Sequence, residues 1–191
     1  MEMKNNYYIM RHGESEANVK KMIVSHPENG YTGYGLTEKG KKQARDSIQN
    51  SGLLETINVI ISSPFLRTKE TAAEIVSLNP NIAMSFDSLL QERNFGKFEK
   101  MDSTFYHDVW EFDKIDHHNT RNDVESPHEV SLRCENVISK YNKMFIDQNI
   151  MFVSHGDFIQ IMQTVIKEMS PSDHKSIPYI DTAEIRLLKK D

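Results

Sequence analysis

Three short runs of the chain are apolar at almost every position: Tyr7-Tyr8-Ile9-Met10, Val59-Ile60-Ile61 and Ile150-Met151-Phe152-Val153. A strand with one wet face alternates apolar and polar residues, whereas a strand covered on both faces does not. The runs therefore predict buried strands over 6–11, 58–62 and 150–154, with shorter strands over 82–86 and 185–188. Between them the period changes to that of helices. Ser15 opens a short helix to about Met22, and Thr37 caps one that runs to about Asn50 with Leu36, Gly40, Ala44 and Ile48 near one face. Further helices are predicted from about Phe65 to Ser77, with Pro64 suited to the first turn, from Glu129 to Gln148 after Ser126-Pro127, and from Phe158 to Ile166. Residues 25–35, with three glycines and a proline, read as a loop, and Ser170-Pro171-Ser172 as a turn.

Buried strands separated by helices imply an α/β fold. The architecture expected is a three-layer αβα sandwich with a mainly parallel central sheet, formed by a single domain over 1–191. The stretch 97–124 fits this pattern least. Phe98, Met101, Phe105, Val109, Trp110 and Phe112 suggest one aromatic-rich helix, and Asp113 to Asp123 a charged, His-rich loop, together a covering insertion.

Composition narrows the possible partners. The formal charge of −5 has no basic block, which argues against nucleic acid or an anionic membrane as partner. Any anion site must then be a local basic pocket. The single cysteine, Cys134, allows no internal disulfide and points to a reducing compartment. The polar start Met1–Asn6 precedes only four apolar residues, too few for a signal segment, so the cytoplasm is the expected location.

Two strands end alike, in Arg11-His12-Gly13 and in Ser154-His155-Gly156, and a third ends in Ser62-Ser63-Pro64 with Arg67 one turn further on. Ligands of open α/β sheets bind just outside the carboxyl ends of strands. If these strands are parallel neighbours, two guanidiniums and two imidazoles meet in a cage suited to phosphate. The helix starts after Gly13 and Gly156 would add backbone donors. Within such a cage a neutral His12 could attack phosphorus, with its other ring nitrogen fixed by a backbone carbonyl. Nearby arginines would keep it neutral, and Arg11, Arg67 and His155 would stabilise the moving phosphoryl group. Glu92 is the leading carboxyl for donating a proton to the leaving oxygen, with Glu14 and Glu99 as rivals. The histidines at 107, 117, 118 and 128 show no recurring ligand spacing, and adjacent side chains usually point apart, so no metal site is expected.

These blocks resemble, in order, the signatures of the histidine phosphatase (phosphoglycerate mutase-like) superfamily: Arg11-His12-Gly13-Glu14-Ser15 with Asn18, Leu36 to Ala44, Ser62-Ser63-Pro64 with Arg67, Glu92 with Gly96 and Glu99, and Ser154-His155-Gly156. The resemblance implies His12 as a phosphorylated nucleophile, Arg11, Arg67 and His155 as phosphate pocket, Asn18 as a further phosphate contact and Glu92 as proton donor. It implies no metal or organic cofactor. The function expected is hydrolysis of a small phosphorylated metabolite through a phosphohistidine. A phosphoglycerate-type mutase and a phosphate-recognition or phosphoprotein-handling module are the alternatives. The chain departs from the family at Lys100, where a glycine is common, and at Gln160, where many members carry arginine.

Overall fold

The computed structural model describes residues 3–189, so part of the polar start and the charged end lie outside the described residues. Five strands form one sheet: β1 (Asn6–Arg11), β2 (Val59–Ser62), β3 (Ala83–Phe86), β4 (Asn149–Ser154) and β5 (Ile185–Leu188), in the order β3-β2-β4-β1-β5. β1, β2, β3 and β4 are mutually parallel, and β5 runs antiparallel along the edge of β1.

The three apolar runs are the three central strands, and their side chains divide by parity. Tyr7, Ile9, Val59, Ile61, Ile150 and Phe152 enter one core with helices α6 (Pro127–Met144) and α7 (Gly156–Ile166). Met10, Ile60, Met151 and Val153 enter the other with α3 (Glu38–Asn50) and α4 (Leu66–Leu78). Each fully buried side chain of this size contributes roughly 1.5–3 kcal/mol relative to exposure. Polar substitution would therefore cost on either face, which is why the runs do not alternate. The expected three-layer αβα sandwich is thus realised around a mainly parallel sheet.

Several boundaries differ from the sequence reading. The first helix, α1 (Glu16–Val19), is a single turn, closed by a Ser15–Asn18 capping box. It stops short of Met22 because Lys21 turns left-handed (φ 50°) and Ile23 pairs its backbone with Lys100 and Met101. The 25–35 loop contains a one-turn helix, α2 (Pro27–Gly30). Pro64 precedes the Phe65 cap of α4 and so lies outside its first turn. The helix expected to reach Gln148 ends at Met144, because Phe145 turns extended, packs against the core and accepts a hydrogen bond from Asn5 Nδ2 at 2.9 Å. Residues 97–124 form no single helix. Tight turns at Gly96–Phe98 and Arg121–Asp123 flank the nine-residue α5 (Phe105–Asp113).

This covering segment has its own small core of Ile23, Phe95, Val109 and Val124, with Phe98, Phe105 and Tyr106 against it. Gly96 permits a close approach: a Cβ there would lie 2.2 Å from the Asn122 carbonyl oxygen. Lys100 is left-handed at φ 62°, a conformation that glycine adopts without steric cost.

Candidate active site

Parallel pairing of β1, β4 and β2 sets their carboxyl ends side by side, with Arg11 opposite Ser154 and Ser62 opposite Val153. The next residues, His12, Ser63 and His155, therefore leave the sheet together. Gly13 lets the chain turn against α3, where a Cβ would meet the Gly40 carbonyl oxygen at 2.3 Å. Its N–H donates to Thr71 Oγ1 on α4 at 3.0 Å.

Arg67, in the first turn of α4, is the hub. Its Nε donates to His12 Nε2 at 3.1 Å, and its Nη2 donates to the Val24 carbonyl and to His155 Nδ1, both at 2.9 Å. Arginine only donates, so both ring nitrogens facing it carry lone pairs. His12 must then hold its proton on Nδ1, which donates to the Gly13 carbonyl at 2.7 Å. His155 holds its proton on Nε2, 2.8 Å from Ser63 Oγ. Burial first, then the Arg67 and Arg11 charges, hold the His12 imidazole well below its ordinary value of 6.5. Burial likewise leads in lowering His155. The neutrality expected from the arginines is thus owed chiefly to desolvation.

A cavity of about 220 Å³ opens over this hub, lined by Arg11, His12, Asn18, Arg67 and Glu92, with Lys21, Ser103, Tyr106 and Tyr179 at its sides. Five of the six residues singled out from the sequence therefore face one space. The sixth, His155, is fully buried behind Arg67. Among the described residues, Arg67 Nη1 and Arg11 Nε are buried donors without a partner. Arg11 Nη1 donates to the Ile180 carbonyl at 2.8 Å and to the Tyr179 hydroxyl. Asn18 is exposed at the rim, and its Oδ1 accepts from Ser15 N and Oγ at 3.0 and 2.9 Å. Only its amide N–H groups are left to face the cavity.

Of the three rival carboxylates, Glu92 alone lines the cavity. Glu99 accepts from Ser25 N, Ser25 Oγ, His26 N and Asn29 Nδ2 at 2.7–3.1 Å, and so fixes the loop that presents the Val24 carbonyl to Arg67. Glu14 accepts from Thr37 Oγ1 and Lys39 Nζ at 2.9 and 2.7 Å. Burial and then the Asp157 charge raise the Glu92 pKa, against the opposing pull of Arg67. Its Oε1 accepts from the N–H groups of Arg93 and Phe158 at 2.9 and 3.2 Å. Of the backbone donors expected at the helix starts, Phe158 N–H, in the first turn of α7, serves Glu92, and Asn18 N–H of α1 serves Ser15 Oγ in the capping box.

The sequence reading missed Phe65, Tyr106 and Tyr179. The Phe65 ring stands edge-on to His155 at 4.9 Å, with the Arg67 guanidinium 4.9 Å from its centre. Its place between Pro64 and the α4 helix was the only available signal. Tyr106 sits on α5 and Tyr179 on a loop, where no strand end pointed to them. Lys175 Nζ donates to Gln160 Oε1 at 2.6 Å and to Asp157 Oδ1 at 2.5 Å.

A model of the histidine phosphatase superfamily (branch 1) matches residues 7–191. A probable phosphoglycerate mutase, GpmB, of Salmonella arizonae is 32% identical over 156 residues, covering 78% of this chain and 68% of the relative. Agropine synthesis reductase of Rhizobium rhizogenes is 25% identical over 175 residues, covering 88% of this chain but only 36% of its own length. A solved mycobacterial glucosyl-3-phosphoglycerate phosphatase complexed with VO3 superposes with a TM-score of 0.79 at 16% identity, covering 97% of this chain and 99% of that one. At that identity the likeness shows the shared fold. No helix among the described residues is long and apolar enough to cross a membrane.

Proposed function

The chain belongs to the histidine phosphatase superfamily, and from that premise we propose that it hydrolyses a small phosphate monoester in two steps through phosphohistidine at His12 Nε2. The observation that carries this reading is the His12 ring itself. Its Nδ1 proton is fixed on the Gly13 carbonyl, and its Nε2 lone pair faces a buried guanidinium in a cationic pocket. In the first step Nε2 attacks phosphorus and the ester P–O bond breaks. Arg67 Nε, now on Nε2, shifts to a phosphate oxygen, while Arg67 Nη1 and Arg11 Nε supply further donors.

Glu92, whose protonated form is favoured by burial and by the Asp157 charge, donates its proton to the leaving alkoxide. In the second step water attacks phosphorus, Glu92 takes the water's proton, the N–P bond breaks and inorganic phosphate leaves. Asn18 at the rim is read as a phosphate contact through its amide. His155 is a positioning residue that fixes Arg67 from behind. The cavity volume suits a phosphoryl group carrying a small organic portion, bounded by Lys21, Tyr106 and Tyr179. Segment 97–124, through Tyr106, helps to cover that portion. The chemistry uses side chains alone, without a metal or organic cofactor.

A mutase returning the phosphoryl group to a second hydroxyl is the competing reading, favoured by the name of the 32%-identical relative. A panel of phosphorylated metabolites, assayed with chelator for free phosphate and for phosphoglycerate interconversion, tests both. Phosphate release without interconversion supports the proposal; interconversion without net release overturns it.

A further inference from the structure

His117 and His118 are neighbours in sequence, and His128 lies ten residues further on, at the start of α6. The expectation that adjacent histidines diverge fails here. Their ring centres are 4.4 Å apart, and the His128 ring lies 4.4 Å from His118 and 6.0 Å from His117. One nitrogen from each ring lies within 4.8 Å of the other two. The geometry points to a second site on this chain, a three-imidazole seat for a borderline transition-metal ion such as Zn²⁺.

The backbone of the site is already fixed. His128 N–H donates to the His117 carbonyl at 2.9 Å, joining the loop directly to α6. His118 N–H donates to Asp116 Oδ1 at 2.9 Å, and Asn119 N–H to the Asp116 carbonyl at 3.1 Å. Pro127 and the Ser126–Glu129 capping box set the first turn of α6, and with it the place of His128. The rings, by contrast, have no hydrogen-bond partner among the described residues, and each is at least partly open to solvent. A rigid backbone with three converging, uncommitted imidazoles is the ligand half of a metal site.

A zinc ion at about 2.0–2.1 Å from each nitrogen needs nitrogens roughly 3.4 Å apart, which small side-chain rotations supply from the present spacing. Three protein ligands leave a coordination position for water. The bound ion would tie the 116–119 loop to α6. That loop continues into the Arg121–Asp123 turn, which packs on Gly96. The ion therefore stiffens the covering segment and takes no part in the chemistry at His12.

The test is to titrate the chelator-stripped full chain with Zn²⁺ by calorimetry and with Co²⁺ by visible absorption. One equivalent should bind and raise the melting temperature. His118→Ala and His128→Ala should each weaken binding by at least the roughly ten- to hundredfold seen when even an outer partner of a metal site is lost. Both variants should keep the melting temperature of the metal-free wild type. His12→Ala should bind as the wild type does. Absence of stoichiometric binding, or binding that survives His118→Ala and His128→Ala, overturns the proposal. So does binding lost in His12→Ala, which would place the ion in the phosphate cage.

Discussion

Arg67 and Arg93 are both buried, one in the cage and one beneath the covering segment, and their surroundings are opposite. Arg93 forms a two-pronged pair with Asp113, at 2.6 and 2.8 Å, with both side chains fully buried. Burial disfavours its charge, but Asp113 and Asp157 together outweigh burial and the guanidinium pKa rises. Arg67 donates to two neutral imidazoles and a carbonyl, and its pKa falls, with burial the leading cause. A guanidinium already neutralised holds the fold together. One left without a carboxylate partner stores affinity for an anion that arrives later, because removing an unpaired charge from water costs several kcal/mol. On the proposed reading the two regions therefore divide the work: the cage carries the chemistry and the Arg93–Asp113 pair carries stability.

That division can be broken by substitution. The largest effect belongs to Glu92→Gln, which should slow the first step, phosphoryl transfer to His12, by about 10²–10⁴-fold on alkyl phosphates while sparing the initial burst of nitrophenol from nitrophenyl phosphate, whose leaving group needs no proton. Because burial and Asp157 raise the Glu92 pKa, the wild-type rate on alkyl esters should decline as pH rises through that raised value. The Glu92→Gln profile should lack this limb. An equal loss on both esters would return the choice to another carboxyl group.

Arg67→Met should lower kcat by roughly 10²–10³-fold, the scale of losing one donor to developing charge. Its cost in urea unfolding should be smaller than that of Asp113→Ala. Asp113→Ala removes the two-pronged partner, leaving Arg93 only Asp157 at 3.4 Å and the Glu125 carbonyl at 2.7 Å, and should destabilise the fold by up to about 3–5 kcal/mol, while activity per folded molecule stays within severalfold of wild type. If the two variants exchanged phenotypes, the contrast between the regions would be wrong.

A smaller effect concerns pH. Burial holds His12 and His155 below 6.5 in the folded chain, so below that pH the unfolded chain binds more protons. Their contribution to stability is complete above about pH 6.5 and is lost as pH falls towards the folded values. Within that window the slope approaches about 1.4 kcal/mol per pH unit for each histidine. Denaturant titrations of His155→Gln should show a shallower slope than wild type.

The cage was legible in the sequence because strand ends are local. Apolar runs fixed the three strands, and the residue after each run had to emerge at one edge of the sheet. His12, Arg67 and His155 followed from that. The backbone carbonyl that fixes the His12 tautomer was expected too and is that of Gly13, whereas the His155 tautomer was not, because it depends on the Arg67 guanidinium and the Ser63 hydroxyl that its ring meets. Nor were the structural roles of Glu14 and Glu99, since a carboxylate's partners lie far away in sequence: Glu99 serves Ser25, His26 and Asn29. The covering segment was illegible for the same reason. Left-handed residues at Lys100, Asn122 and Asp123 break its periodicity, and long-range bonds such as Arg93–Asp113 and Trp110–Asp157 replace it. The three-histidine cluster arises only when the 116–119 loop folds back onto α6.

The central claim is that His12 Nε2 takes up the phosphoryl group, and trapping that intermediate tests it most directly. The protein would be mixed with an aryl ester labelled in its phosphate, quenched in alkali and mapped by peptide. The account predicts label on the peptide containing Arg11-His12, stable in base and lost in acid, and absent from His12→Ala. Label that resists acid, or full turnover by His12→Ala, would contradict it.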